Sequence, residues 1–263
     1  SARPVYISLH NEQVTILPAE HLSGLPTADV QSIIRSELND DRVRVAQIGP
    51  AGERQVKYAS IIHDVNRSAA RNGMGAVMGS KNLKAVAVRG TKKPPIMARA
   101  RMQNIANWLL QVYRNLCSWA AVGRGTQDLL MYLGYMGGLP VHNFSLPELK
   151  EYGLLSGERN YTMYYKKRDT CQACPINCKQ VFVNPAADER QRLDPRYGGA
   201  EYEAMAALGT CCGVSDNLAV LKANELCNKF GLDAISTGMS IAFVMECFEQ
   251  GFLNSSDTGG LTF

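Results

Sequence analysis

Thr91-Lys92-Lys93-Pro94-Pro95 divides this chain of 263 residues into two parts of different character. Consecutive prolines cannot continue a strand ladder, because proline lacks the backbone N–H and restricts the residue before it. Upstream, five segments are predicted strands: Pro4–Leu9, Val14–Leu17, Val43–Ile48, Val56–Ile62 and Leu83–Val88. They are short, rich in β-branched residues, and mostly bounded by Gly, Pro, Asn or Asp. Pro26–Leu38 interrupts them with a helical pattern. Downstream, Arg99–Trp119 and Gly125–Tyr135 are predicted helices, and residues 137–195 read as irregular. Three more helices follow at Glu201–Cys212, Ser215–Phe230 and about Ser236–Gln250. Ser215 is the expected N-cap of the second, and Gly231 and Gly251 stop the second and third. The expected fold class is α+β, with a β-rich part over residues 1–93 and a mainly helical part over 94–263.

Composition narrows the function classes. Hydrophobic residues make up 46% of the chain, enough to bury a substantial core. The net charge is only +4 and the charges are mixed, so no nucleic-acid partner and no membrane surface is expected. There is no apolar run near twenty residues and no charged, then apolar, opening segment. A soluble, cytoplasmic protein is the expectation. Its eight cysteines (117, 171, 174, 178, 211, 212, 227 and 247) then read as metal ligands or buried thiols rather than disulfides.

Three of them are packed into Cys171-Gln172-Ala173-Cys174-Pro175-Ile176-Asn177-Cys178. At this C-x2-C-x3-C spacing, thiolates can converge on three irons of a cubane cluster. A [4Fe–4S] cluster wants four ligands, and no fourth cysteine is close in sequence. Structural zinc is the competing reading, although zinc sites are more often built from two separated C-x2-C pairs. Unligated core cysteines are the third. The iron–sulfur reading is favoured. Cys211, Cys212, Cys227 and Cys247 lie in apolar helical contexts and are expected to be buried free thiols.

The stretch Arg67-Ser68-Ala69-Ala70-Arg71-Asn72-Gly73-Met74-Gly75-Ala76-Val77-Met78-Gly79-Ser80-Lys81 combines glycines with flanking cations. Glycines at 73, 75 and 79 permit positive φ and close backbone approach, so the stretch could cradle a phosphate or simply turn into a strand. It is neither a P-loop nor a dinucleotide fingerprint. Glu201-Tyr202-Glu203 opens an otherwise apolar helix. Taken alone, Glu203 reads as a carboxylate complementing the helix dipole; the functional alternative is an acid/base group with its pKa raised by burial. Asn228-Lys229-Phe230-Gly231-Leu232-Asp233-Ala234-Ile235-Ser236 joins a helix stop to a helix start. Asp233 or Ser236 could cap the next helix, or the junction could present a carboxylate and N–H groups to a polar heterocycle. None of the four histidines has a partner at metal-ligand spacing, so they are expected to be surface or packing residues.

These segments, with Ile48-Gly49-Pro50-Ala51-Gly52-Glu53, Gly75–Ala85 and Gly231–Gly238, closely resemble the tungsten-containing aldehyde:ferredoxin oxidoreductase family. The matching motifs run in the family's order over most of the chain. The resemblance implies tungsten, or molybdenum, between two pterins beside a [4Fe–4S] cluster. It implies oxidation of an aldehyde to a carboxylate, with electrons passed one at a time through the cluster to ferredoxin or an electron-transfer subunit. By position, Cys171, Cys174 and Cys178 would hold the cluster. Arg67, Ser68, Ala70 and Arg71 would lie on a pterin-binding loop in a partial N-terminal pterin-binding domain. Asn228, Leu232 and Asp233 would hold a pterin, and Glu203 would be the catalytic carboxylate near the metal.

The sequence departs from the family pattern in places. Asn228 stands where the motif usually begins with aspartate, and Arg71-Asn72-Gly73 where the family has Arg-Gly-Gly. The expected chain is a central fragment of a longer member, inactive alone, without the family's opening β segment, fourth cluster cysteine and catalytic histidine. A homo-oligomer or heteromer is expected of the full protein. The rival within the family is the tungsten subunit of an aromatic acyl-CoA reductase. The rival outside it is a noncatalytic iron–sulfur electron-transfer or scaffold subunit.

Overall fold

A computed structural model describes residues 1–116 and 123–263. Its first strands are β1 (Val5–His10), β2 (Gln13–Pro18), β3 (Arg44–Ile48), β4 (Ile61–His63), β5 (Arg67–Ala69) and β6 (Leu83–Arg89). They make one mixed sheet in the order β2-β1-β6-β3-β4-β5. β1 runs parallel to β6, with Tyr6 opposite Ala85 and Ser8 opposite Ala87, and the other pairings are antiparallel. Tyr6, Val45, Ala85 and Ala87 face a core closed by Leu22, Val43 and helix α1 (Thr27–Glu37). Val30 and Ile34, one turn apart on α1, are fully buried, and each contributes roughly 1.5–3 kcal/mol.

Two corrections apply to the expected strands. Val56–Ile62 is extended only at its end, because Ala59 N–H donates to Val56 O at 2.8 Å and turns the chain. β5 was not expected, since Arg67-Ser68-Ala69 carries no β-branched signal. It forms because Asp64 (φ 51) and Val65 (φ 64) make a left-handed turn that folds it back on β4. The short helices α2 (Pro50–Glu53) and α3 (Met74–Ser80) meet backbone to backbone. A Cβ on Gly79 would stand 1.8 Å from Gly52 O, so only glycine fits. Below them the nearly inaccessible Lys84 pairs with Glu53, and burial pushes its ammonium pKa down.

Ser1–Lys92 and Ala223–Ser240 together form one unit; Lys93–Lys222 and Ile241–Phe263 form the second. The second is built on α4 (Arg99–Leu116), α5 (Asp128–Tyr135), α6 (Gly157–Tyr164), β7 (Tyr165–Asp169), β8 (Lys179–Phe182), α7 (Tyr202–Leu208), α8 (Asn217–Phe230), α9 (Ala234–Glu249) and α10 (Ser255–Thr258), α8 and α9 contributing to both units. The α+β class holds. The end of the expected helix Arg99–Trp119, with Cys117, lies outside the described residues.

Residues 137–195 are not simply irregular. They hold α6, capped where Arg159 N–H donates to Ser156 Oγ, and the antiparallel hairpin β7–β8. The expected Glu201–Cys212 helix breaks at Gly209 into α7 and a 3-10 turn over Thr210–Cys212. Helix α8 is capped by Asp216 rather than Ser215: its carboxylate accepts from Ala219 N–H. Among the described residues, no single helix is long and apolar enough to cross a membrane.

Candidate functional site

In the first unit, Tyr58-Ala59-Ser60 joins the two sequence-distant candidate segments. Ser60 N–H donates to Gly231 O at 2.8 Å, Asp233 N–H donates to Tyr58 O at 3.1 Å, and Ala59 bridges Leu232. On its other side, Ser60 Oγ donates to Ala70 O at 3.4 Å and Gly75 N–H to Ala59 O at 2.9 Å. Arg67, Ser68, Ala70 and Arg71 are thereby held in the same unit as Asn228, Leu232 and Asp233. The sequence reading missed this strap because it took the segment for a strand.

Asp233 is buried and serves as the N-cap of α9, accepting from Ile235 N–H at 3.3 Å and Ser236 N–H at 3.2 Å. Its carboxylate lies 3.8 Å from Arg71 Nε, an arginine that is 64% exposed. Gly231 (φ 76) ends α8 with Leu232 N–H donating to Cys227 O at 2.8 Å, and Asn228 O accepts from Thr27 Oγ1 at 2.9 Å. Gly49 fits against this turn, since a Cβ there would be 2.3 Å from Phe230 O.

The glycine-rich stretch is shaped differently from the expectation. Only Gly73 (φ 68) of its three glycines takes positive φ; Gly75 and Gly79 are helical and serve close packing. Asn72 (φ 81) takes the left-handed conformation that its short side chain tolerates. Val65 (φ 64) is the more strained residue, being β-branched, and it directly precedes Asn66 and Arg67.

In the second unit, the three cysteines form the tip of the β7–β8 hairpin, whose last pair is Asp169 opposite Lys179. Cys174 N–H donates to Cys171 O at 3.0 Å, and Thr170 Oγ1 donates to Cys174 O at 2.7 Å, so the loop is tightly wound. Ala173 (φ 57) and Asn177 (φ 56) make its turns. Cys171 is exposed, and Cys174 and Cys178 are half-buried. Burial pushes the Cys178 thiol pKa up, with Glu201 and the other two cysteines adding to the shift. Among the described residues no three His, Cys, Asp or Glu side chains are gathered tightly enough to enclose a metal ion. Yet the donor set itself, three free soft thiols on one short tip, fits an iron–sulfur cluster better than a hard cation. Beside it, the Asn177 amide oxygen is buried and has no hydrogen-bond partner among the described residues.

The acid/base alternative expected Glu203 to be buried; it stands exposed on the first turn of α7. The preceding N–H, of Tyr202, donates to Thr126 Oγ1 at 3.1 Å. Among the described residues, Cys211, Cys212 and Cys227 are buried outside any disulfide, whereas Cys247 is only half-buried. Burial raises the Cys227 pKa to about 11. Among the histidines, His142 stacks on Phe263 at 4.3 Å and His21 meets Glu37 at 2.6 Å, both packing or surface roles.

Residues 1–90 match the family described as aldehyde ferredoxin oxidoreductase, N-terminal domain, and residues 104–263 match aldehyde ferredoxin oxidoreductase, domains 2 and 3. The chain is 36% identical over 259 residues to the tungsten-containing aldehyde ferredoxin oxidoreductase of Pyrococcus furiosus and 36% identical over 261 residues to that of Thermococcus kodakarensis. In both cases the match covers 98% of this chain and 42% of the relative's length. It is 25% identical over 280 residues to the WOR-like subunit of an aliphatic sulfonate oxidoreductase from Pyrococcus furiosus, covering 97% of this chain and 42% of that subunit. Among solved structures, the active-site complex BamBC of benzoyl coenzyme A reductase with 1,5-dienoyl-CoA superposes with a TM-score of 0.79 at 26% identity, covering 100% of this chain and 41% of that one.

Proposed function

The chain belongs to the aldehyde ferredoxin oxidoreductase family, and from that premise we propose that it serves an enzyme oxidising an aldehyde at a tungsten–pterin centre, with electrons leaving through a [4Fe–4S] cluster to ferredoxin. The balanced reaction takes an aldehyde and water to a carboxylate, three protons and two electrons. The observation that carries the reading is the strap at Tyr58–Ser60, which gathers two distant candidate segments into one surface. That region has the chemistry a pterin needs: guanidinium groups at Arg67 and Arg71 for phosphate, and the Asn228 amide and the buried Asp233 carboxylate for a polar heterocycle. When bound, the tungstopterin supplies the oxygen-atom and electron chemistry, which no side chain can perform.

The chain's own residues do the rest. Arg67 and Arg71 bind anionic groups, with Ser68 and Ala70 on the same loop. Asp233, fixed by the first turn of α9, orients what lies beside it. Glu203, exposed at the start of α7, takes up a proton as water attacks the carbonyl carbon. Cys171, Cys174 and Cys178 hold the cluster. Tungsten and iron analysis of the anaerobically purified enzyme, with aldehyde-dependent viologen reduction, tests the reading. Absence of tungsten from active enzyme would overturn it.

The benzoyl coenzyme A reductase likeness favours a second reading, in which the same centre acts on an aromatic acyl-CoA within a multi-subunit assembly. An aromatic acyl-CoA assayed against an aldehyde on the same preparation separates the two.

A further inference from the structure

Resting on the cluster reading above, we infer that β7 and the end of α6 form the docking surface for an acidic one-electron carrier protein. Strand alternation should bury one of two consecutive lysines, but Lys166 and Lys167 are both exposed. The register explains why: Tyr165 pairs with Phe182 and Lys167 with Val181, so Lys166 is an extra, bulged residue. Among the described residues neither lysine has an acidic partner. Beside them Tyr161, stacked on Tyr165 at 4.3 Å, is 46% exposed and Met163 is 51% exposed. Tyrosine and methionine beside unpaired cations are the makings of an interface rather than of a solvated strand.

The position gives the surface its purpose. β7 runs directly into the cysteine tip, and exposed Cys171 lies four residues beyond Lys167, about 13 Å at the rise of an extended chain. A partner seated on the lysines therefore also covers the tip. A net negative carrier is drawn to this patch, which raises encounter rate more than final affinity. With a cluster held by Cys171, Cys174 and Cys178, each encounter would move one electron, lost by the reduced cluster and gained by the oxidised carrier. Oxidation of one aldehyde thus takes two encounters.

The test compares the holoenzyme with its K166E/K167E variant, using an acidic ferredoxin and, separately, benzyl viologen as acceptors across a range of ionic strength. The expected result is a KM for ferredoxin raised about tenfold with a flattened salt dependence, while viologen reduction does not fall. The milder K166Q/K167Q pair should give an intermediate shift. An unchanged ferredoxin KM in K166E/K167E, with iron and sulfide intact, overturns the docking surface alone. Absence of iron and sulfide from the native enzyme overturns the cluster reading, and the surface with it.

Discussion

The Arg71 guanidinium lies 3.8 Å from the Asp233 carboxylate, and the acid is buried while the arginine is mostly in solvent. An exposed cation approaches a fixed, dehydrated anion, so the pair can be prised apart on the arginine side alone. A ligand that takes over Arg71 leaves Asp233 still held by Ile235 and Ser236 N–H groups.

Asp233 should therefore separate stability from cofactor retention. Asp233→Asn keeps the helix cap, and its unfolding midpoint in urea should match the parent. Asp233→Ala loses the cap, at about 1 kcal/mol. Both variants should retain less tungsten by elemental analysis. Full tungsten in Asp233→Asn would remove the carboxylate from the pterin site.

The glycine contacts predict a sharp contrast. Gly79→Ala places a methyl 1.8 Å from Gly52 O, whereas a Cβ at Gly90 would meet nothing within 4 Å among the described residues. Gly79→Ala should cost about 1–3 kcal/mol or more by overpacking, and Gly90→Ala almost nothing. Thermal unfolding of the two variants measures the difference; equal melting temperatures would refute the packing account.

The cysteines should fall into two classes. Serine at Cys171, Cys174 or Cys178 should strip iron and bleach the visible absorption. Alanine at buried Cys211 or Cys227 should leave iron content unchanged and lower stability only. Iron loss from the second class would move the cluster elsewhere.

Acid stability should depend on Asp40. The Arg42 N–H, then the Arg89 guanidinium, lower its carboxyl pKa from 3.8 to about 2. A depressed folded-state value means stabilisation that is complete above the unfolded value and is lost as pH falls from 3.8 towards 2. Asp40→Asn should flatten that limb of the stability curve, followed by circular dichroism. Parallel curves for the two proteins would show that Asp40 contributes nothing.

Much of the first sheet was legible because β1, β3 and β6 are rich in Val, Ile and Leu, although in β1 and β6 it is Tyr6, Ala85 and Ala87 that face the core. β5 and the strap at Tyr58–Ser60 were not, because both are fixed by partners rather than by their own side chains. Ser60 and Ala59 find those partners at Gly231 and Leu232, which no local pattern can announce. The cysteine spacing was readable, but its seat on a hairpin was hidden by the charged run Lys166-Lys167-Arg168-Asp169, which lacks strand propensity. Asp233 as a cap was legible from its place before α9. Glu203 was legible only through its motif, since nothing local to the exposed first turn of α7 marks it out.

The strap also fixes a timetable. Every strand of the first sheet has been synthesised once Arg89 has left the ribosome, but Tyr58 and Ser60 cannot be joined until Gly231 and Asp233 emerge. At about 5–20 residues per second that interval lasts roughly seven to thirty seconds. The edge that carries Arg67 to Arg71 thus waits, half-made, while the helical unit is being synthesised.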